Sequence, residues 1–235
     1  MRLAAWKKTE GKGIDNDNPY ISAGPGEEKS SGGNLYVNYV KPFFDHVLSF
    51  IALVILSPLF AVLAVIIYIE DPGPVFFTQK RVGKDKKFFC IHKFRSMKME
   101  TPADVPTHQL SDPDRYITKV GHFLRSSSLD ELPQLWEIFR GKMSLVGPRP
   151  ALYNQADLVA ERDKGGSNDV VPGLTGYAQI NGRDELSIED KAALDNEYAA
   201  AMRRGGFPAF LMDLKCLFGT VIPVFTGKGI KEGRS

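Results

Sequence analysis

Residues Val47–Ile69 read VLSFIALVILSPLFAVLAVIIYI, 23 consecutive residues without a charge. At 1.5 Å rise per residue a helix of this length covers roughly 34 Å, enough for the hydrocarbon core of a bilayer. A soluble domain of 235 residues does not need such an element, so the run predicts membrane attachment. Ser57-Pro58 lies near its midpoint. Proline removes one backbone donor and crowds the preceding turn, at a cost of about 3 kcal/mol inside a helix. The Ser57 hydroxyl can bond to the carbonyl that is freed. Two readings stay open from the residues alone: a kinked helix that spans, and a helix that bends at Ser57-Pro58 and leaves by the side it entered. Lys80, Arg81, Lys84, Lys86 and Lys87 follow within 20 residues and place the C-terminal flank in the cytoplasm by the positive-inside rule.

Upstream, residues 1–38 are rich in Gly, Ser, Asn, Lys and Glu and cannot bury enough apolar area to offset ordering. They read as a disordered polar tail, native or left over from expression. No apolar stretch follows Arg2, Lys7 and Lys8, so the tail is not read as a signal peptide. Residues 39–71 read as the membrane helix, 72–227 as a globular domain and 228–235 as a C-terminal tail.

Downstream, Asp71-Pro-Gly-Pro74 ends the apolar helix. Val75–Thr78 and Lys87–His92 read as two strands joined by a hairpin turn at Gly83–Lys86. Residues 115–127 read as helix. Leu132, Leu135, Trp136 and Phe139 fall at helical spacing, with Gly141 suited to the C-terminal cap. Residues 187–203 are a further helix. Phe207–Phe225 is apolar but interrupted by Asp213, Lys215, Gly219 and Pro223, which predicts a helix at the membrane interface or packed on the domain. The expected fold class is therefore α+β: a small, mainly helical domain with a short β-hairpin and interfacial amphipathic helices. The net charge of +2 identifies no partner on its own, and nucleic acid is not expected. Two cysteines, Cys90 and Cys216, make no disulfide framework and no metal-ligand pair.

Four short motifs carry chemistry. Ser128 and Glu131 match a capping box, which would set Asp130 and Glu131 by a helix N-terminus, unless Pro133 is the first helical residue. Either arrangement favours an anion there. Taken alone, acidic residues in a first turn are more often caps than catalysts. Pro148 and Pro150 flank Arg149 and fix a guanidinium suited to two-point phosphate contact. Pro172-Gly-Leu-Thr-Gly-Tyr-Ala-Gln-Ile-Asn-Gly-Arg183 is a glycine-rich loop whose N–H groups can cradle a phosphate or sugar, but it matches no P-loop or dinucleotide fingerprint. Lys93-Phe-Arg-Ser-Met97 closes the second strand.

The order of these signals resembles the bacterial sugar transferase family, the monotopic polyprenyl-phosphate phosphoglycosyltransferases. It runs from the Ser57-Pro58 helix through Lys93–Met97, Arg125-Ser-Ser-Ser-Leu-Asp-Glu-Leu-Pro-Gln134 and Gly147-Pro-Arg-Pro150 to Pro172–Arg183, and covers residues 40 to 225. The resemblance is to the short form, without the multispanning N-terminal region of longer members. It implies that Asp130 is the nucleophile and carries a covalent sugar phosphate. Glu131 would be a magnesium ligand, alone or with Asp130, or the base for the acceptor phosphate. Lys93, Arg95, Arg125, Pro148, Arg149, Gln179, Asn181, Arg183, Asp195 and Tyr198 are the implied substrate-binding positions. Ser57 and Pro58 match the break that makes the family's helix re-entrant. The implied cofactor is Mg²⁺. The implied substrates are a nucleotide sugar, with uridine expected, and a polyprenyl phosphate, with undecaprenyl expected. The implied location is a phospholipid membrane, the bacterial inner membrane, with the domain facing the cytoplasm; homo-oligomerisation is left open. Val171 stands where relatives often carry arginine. Two rival readings remain: a membrane-anchored nucleotide-binding protein without chemistry, and a single-span enzyme of unrelated mechanism.

Overall fold

The computed structural model describes residues 18–20, 34–101, 113–182 and 185–226. A π-helical turn, Tyr36–Val40, runs directly into α1, Lys41–Glu70. α1 continues through Pro58. The missing proline donor would have served Val54 O, and Ser57 Oγ donates to that same carbonyl at 2.8 Å. The serine thus repairs the ladder one residue before the fault.

The side chains of α1 divide along its length. Asp45, Ser49, Leu63 and Ile67 are buried, and Ala52, Leu53, Leu56, Leu59 and Phe60 pack on two core clusters. These positions recur every three or four residues, which is one helix stripe. The opposite side, including Val47, Ile51, Val54, Ile55, Val62, Val65 and Ile69, is apolar and exposed. Both ends of the helix are fastened to the domain. Near the start, Lys41 Nζ and Tyr36 Oη each lie 2.8 Å from Asp213 Oδ2. At the end, Glu70 accepts from the backbone N–H groups of Lys119 (2.7 Å) and Val120 (3.0 Å).

β1, Phe76–Val82, and β2, Phe88–Phe94, form the expected antiparallel hairpin, with Phe77 opposite Lys93 and Arg81 opposite Phe89. The helix expected at 115–127 is two pieces, α2 at Pro113–Tyr116 and α3 at Lys119–Ser126. A 3-10 turn at Leu129–Gln134 leads into α4, Leu135–Phe139. Then come β3, Ser144–Val146; α5, Ala156–Asp163; β4, Gly173–Thr175; α6, Tyr177–Ile180; α7, Ile188–Arg204; and α8, Gly206–Thr226. β3 and β4 pair in parallel. The α+β class is as expected. α8 packs Ala209 and Cys216 into the core beside Tyr198 and Met202, and exposes Phe207, Leu217 and Phe218. Among the described residues neither Cys90 nor Cys216 is in a disulfide.

The polar tail was expected to reach residue 38. Instead the helix is in place from Leu35, because Asn34 Oδ1 accepts from Gly206 N (3.1 Å) and Tyr36 is held by Asp213. Asn18 Nδ2 also donates to Lys86 O at 2.7 Å, and the Tyr20 ring meets Phe88 edge-on at 6.0 Å. The C-terminal tail, 228–235, lies outside the described residues.

Candidate active site

The carboxylate pair is aimed by the pitch of its turn. Side chains three residues apart eclipse in a 3-10 helix. Leu129 and Leu132 therefore point together into the core, Leu129 against Leu124 and Phe94, and Leu132 against Ile138 and Ile91. Asp130 and Glu131, between them, are left on the other sides. Both clusters are shared with α1, so the apolar helix is part of the platform under the site. Ser128, at the joint with α3, has φ 57°, a left-handed conformation uncommon for serine. The expected capping box does not form: the Ser128 side chain makes no cap hydrogen bond. A left-handed Ser128 does not hold its hydroxyl over the turn, and Glu131 is drawn to cations instead.

Two cations grip Glu131. Arg149 binds it with two nitrogens, Nη1 to Oε2 at 3.0 Å and Nη2 to Oε1 at 2.5 Å. Lys93 Nζ donates to Oε1 at 2.6 Å and lies 3.9 Å from Asp130 Oδ2. Side chains of Lys93, Asp130 and Glu131 are only 12–17% exposed, so these charges act with little solvent between them. Burial alone would raise the Glu131 pKa; Arg149 and Lys93 outweigh it and hold the carboxyl well below the usual range. Asp130 goes the other way. Burial raises its pKa and the Glu131 charge adds to that, against the opposing pull of Lys93, Arg125 and Arg149. Among the described residues nothing donates a hydrogen bond to the Asp130 carboxylate. One neighbour is a fixed anion and the other a more basic carboxylate with uncommitted lone pairs, which suits a nucleophile.

Glycines in the long motif act in packing. A Cβ on Gly173 would come within 2.0 Å of Gly147 N, and one on Gly176 within 2.1 Å of Gly147 O. The close β3–β4 approach fixes the Gly147–Pro150 segment: Gly147 N donates to Thr175 O (2.8 Å) and Gly173 N to Pro148 O (2.9 Å). Those two N–H groups are thus committed to backbone. Pro148 serves by its carbonyl, as a strut for Arg149.

The remaining expected residues separate. Arg125 Nε donates to Ser96 Oγ at 2.9 Å, and its charge reaches Asp130. The Arg95 guanidinium is hydrogen-bonded to Asp71 O and sits 3.5 Å from Asp71 Oδ2, where it clamps the end of α1. The Tyr198 hydroxyl donates to Asp213 Oδ1 at 2.7 Å beside Val146 O, fully inside the core. The Asn181 amide closes α6 on Tyr177 O at 2.7 Å. Asp195 is buried and paired with Arg162 at 2.9 and 2.5 Å. Arg183 lies outside the described residues. Asp195 and Gln179 do line a cavity of about 260 Å³ with Arg81, Arg149, Arg162 and Lys191. Arg81, Arg162 and Lys191 were missed as site residues. Arg81 had been counted only as flanking charge, although its place on the hairpin, two residues from Gln79, set it apart from the turn lysines.

No cluster of three or more metal-binding side chains occurs among the described residues. Magnesium does not require one; it binds through one or two carboxylates, with phosphate oxygens and water completing the octahedron. Glu131 Oε1 is taken by two donors, but Oε2 accepts only one. That open site and Asp130 fit such an ion.

An acid pair under basic side chains, set on a domain fused to a long apolar helix, defines a group-transfer centre for anionic substrates beside a membrane-type segment. Residues 36–227 match the bacterial sugar transferase family, and the chain belongs to it. It is 37% identical over 193 residues to an uncharacterized sugar transferase, EpsL, of Bacillus subtilis, covering 82% of this chain and 91% of the relative. It is 38% identical over 191 residues to the UDP-glucose:undecaprenyl-phosphate glucose-1-phosphate transferase of Escherichia coli, covering 78% of this chain but 40% of that one. An exopolysaccharide production protein, ExoY, of Sinorhizobium fredii is 35% identical over 205 residues, covering 80% and 87%. The chain thus spans less than half of the E. coli relative.

Proposed function

We propose that this transferase moves a sugar 1-phosphate from a nucleotide sugar, with UDP as the expected carrier, to polyprenyl phosphate, expected to be undecaprenyl phosphate, in a bacterial glycan pathway. The observation that carries the reading is Asp130: a carboxylate with raised basicity, next to an anion pinned by Lys93 and Arg149, beside a cationic cavity. In the first step an Asp130 oxygen bonds to the β-phosphorus, the bond to the α-phosphate oxygen breaks, and the nucleoside monophosphate leaves. In the second, an oxygen of the lipid phosphate attacks the same phosphorus, Asp130 is freed, and a polyprenyl diphosphate sugar forms. Lys93 and Arg149 offset the repulsion between carboxylate and phosphate. Glu131 and Asp130 would hold Mg²⁺, which would add positive charge at the diphosphate. The depressed pKa of Glu131 favours its role as fixed anion and ligand over that of base. The direct test presents the protein with a panel of nucleotide sugars and polyprenyl phosphate and follows nucleoside monophosphate release. One donor should release it; no release with any donor would reject the reading.

The proposed topology is re-entrant, at the cytoplasmic face of the inner membrane. A helix of 30 residues is about 45 Å long and could cross. However, one domain holds it at Lys41 and at Glu70 and covers one stripe between them. A domain on one side of a bilayer meets both ends only if both ends stay on that side. Cysteines placed at Val37 and Lys84 should both resist an impermeant reagent in intact cells and react after lysis. Labelling at Val37 alone would mean that the helix spans.

A further inference from the structure

Among the described residues Arg81 is a cation without a paired anion. Its Nη1 donates to Pro150 O at 2.9 Å and its Nη2 to Gln79 Oε1 at 2.6 Å, both neutral acceptors. Its Nε is sealed from solvent and has no acceptor. No described carboxylate forms an ion pair with it. Its charged neighbours are Arg149, which repels it, and Glu131, which attracts it but is already held by two other cations. Burial, reinforced by Arg149, pulls the Arg81 pKa down to about 9. Three guanidinium groups line the cavity with Lys191; Arg149 is paired with Glu131 and Arg162 with Asp195, which leaves the buried charge of Arg81 costly unless an anion enters beside it.

The same cavity contains two orphaned acceptors. Gln179 Oε1 and Asp195 Oδ1 are buried and receive no hydrogen bond from the described residues. Arg162 saturates only the other oxygen of Asp195. The Gln179 amide nitrogen is fixed on Leu174 O at 3.2 Å, which turns its oxygen outward from that contact. Buried acceptors without donors are uncommon and mark a place for a missing partner. Inorganic phosphate dianion, with its single P–OH, would satisfy the cations and serve at most one of these acceptors. Hydroxyl groups would serve both.

We propose that Arg81 anchors a binding site for a phosphate ester bearing hydroxyl groups, with the phosphate against Arg81 and Arg149 and the hydroxyls donating to Gln179 and Asp195. The site rests on the reading of the chain as a sugar-phosphate transferase, whose donor contains two such esters: the nucleoside monophosphate half and the sugar 1-phosphate half. Arg149 forms the wall shared with Glu131, so either half would lie with its phosphate next to the reacting centre. A polyprenyl phosphate, with no hydroxyl to offer, would use only the cationic part.

The test measures binding rather than turnover. The full chain in detergent, carrying Asp130→Asn to prevent covalent chemistry, is titrated calorimetrically with uridine monophosphate, glucose 1-phosphate and inorganic phosphate. At least one ester should bind, and more tightly than inorganic phosphate; which one does so assigns the half of the donor. Adding Arg81→Gln should weaken that ester roughly 10-fold or more, the scale of a lost charge-assisted contact. Arg81→Lys keeps the charge but loses the Pro150 bond, so it should retain most of the affinity. Gln179→Met should weaken the ester more than it weakens inorganic phosphate. Melting temperatures of the ligand-free variants separate loss of folding from loss of binding. Unchanged affinity in a folded Arg81→Gln protein would overturn the assignment, as would equal losses in Arg81→Gln and Arg81→Lys, which would make Arg81 a prop for Pro150. Ester binding by a protein that transfers no sugar would leave the site standing and remove only the proposed reaction.

Discussion

Replacing Asp130 with asparagine is expected to lower turnover by several orders of magnitude, because an amide is a poor nucleophile and nothing nearby replaces it. Glu131 cannot take over: both of its oxygens are engaged by Lys93 and Arg149, and its basicity is suppressed. In the unaltered protein, donor without acceptor should leave a sugar-phosphate mass on the peptide containing Asp130. An active enzyme that never shows the adduct after rapid quenching, and whose kinetics require both substrates bound together, would sink the covalent mechanism. The pH profile gives a second readout. Asp130 must be ionised to attack, and its pKa is raised by burial and by Glu131. The acid limb of kcat/KM should therefore lie above the 3.8 of an unperturbed aspartate. Glu131→Gln removes a neighbouring anion and should move that limb to lower pH, whatever it does to the maximal rate. Stability follows the opposite sign at Glu131. Its folded pKa is depressed, so its contribution is present above the unfolded value of 4.5 and is lost as pH falls through the folded one.

Arg149→Lys should be the second most damaging change, although the charge is kept. Arginine holds Glu131 with two nitrogens and faces the cavity with the same planar group. A single ammonium can make one of those contacts at a time. The expected loss in kcat/KM is about 1–3 kcal/mol, or roughly 5- to 150-fold. Unchanged catalytic efficiency would show that the two-point contact is not used in the reaction. The metal is tested alongside it: chelation with EDTA should abolish activity and added Mg²⁺ restore it, whereas full activity in EDTA would remove the ion from the scheme.

Much of this was legible in the chain because it is written in local period and turn chemistry. The uncharged run from Val47 to Ile69, the β1–β2 hairpin, the helices flanking Gly205 and the role of Ser57 beside Pro58 each depend on neighbours within a few residues. Asp130, Glu131, Lys93 and Arg149 were also legible, as motifs in order, and the structure does bring them together. Most partners of the other charged residues were not. Arg95 and Arg81 both lie on or beside the hairpin. Strand register and the docking of Val82 on Ala151 send Arg81 to the Pro150 wall, while the return of the chain at Asp71 captures Arg95. The contact of Tyr198 with Asp213 depends on α8, which packs on α7 from 15 residues further along the chain. The packing of Gly173 and Gly176 against Gly147 likewise depends on the β3–β4 approach. The sequence by itself determined the elements and the candidate carboxylate pair, since period, turn and motif act over a few residues. Only the tertiary structure decided which cation meets which anion and which polar atoms are left without partners, because those depend on burial and on contacts between segments up to 177 residues apart.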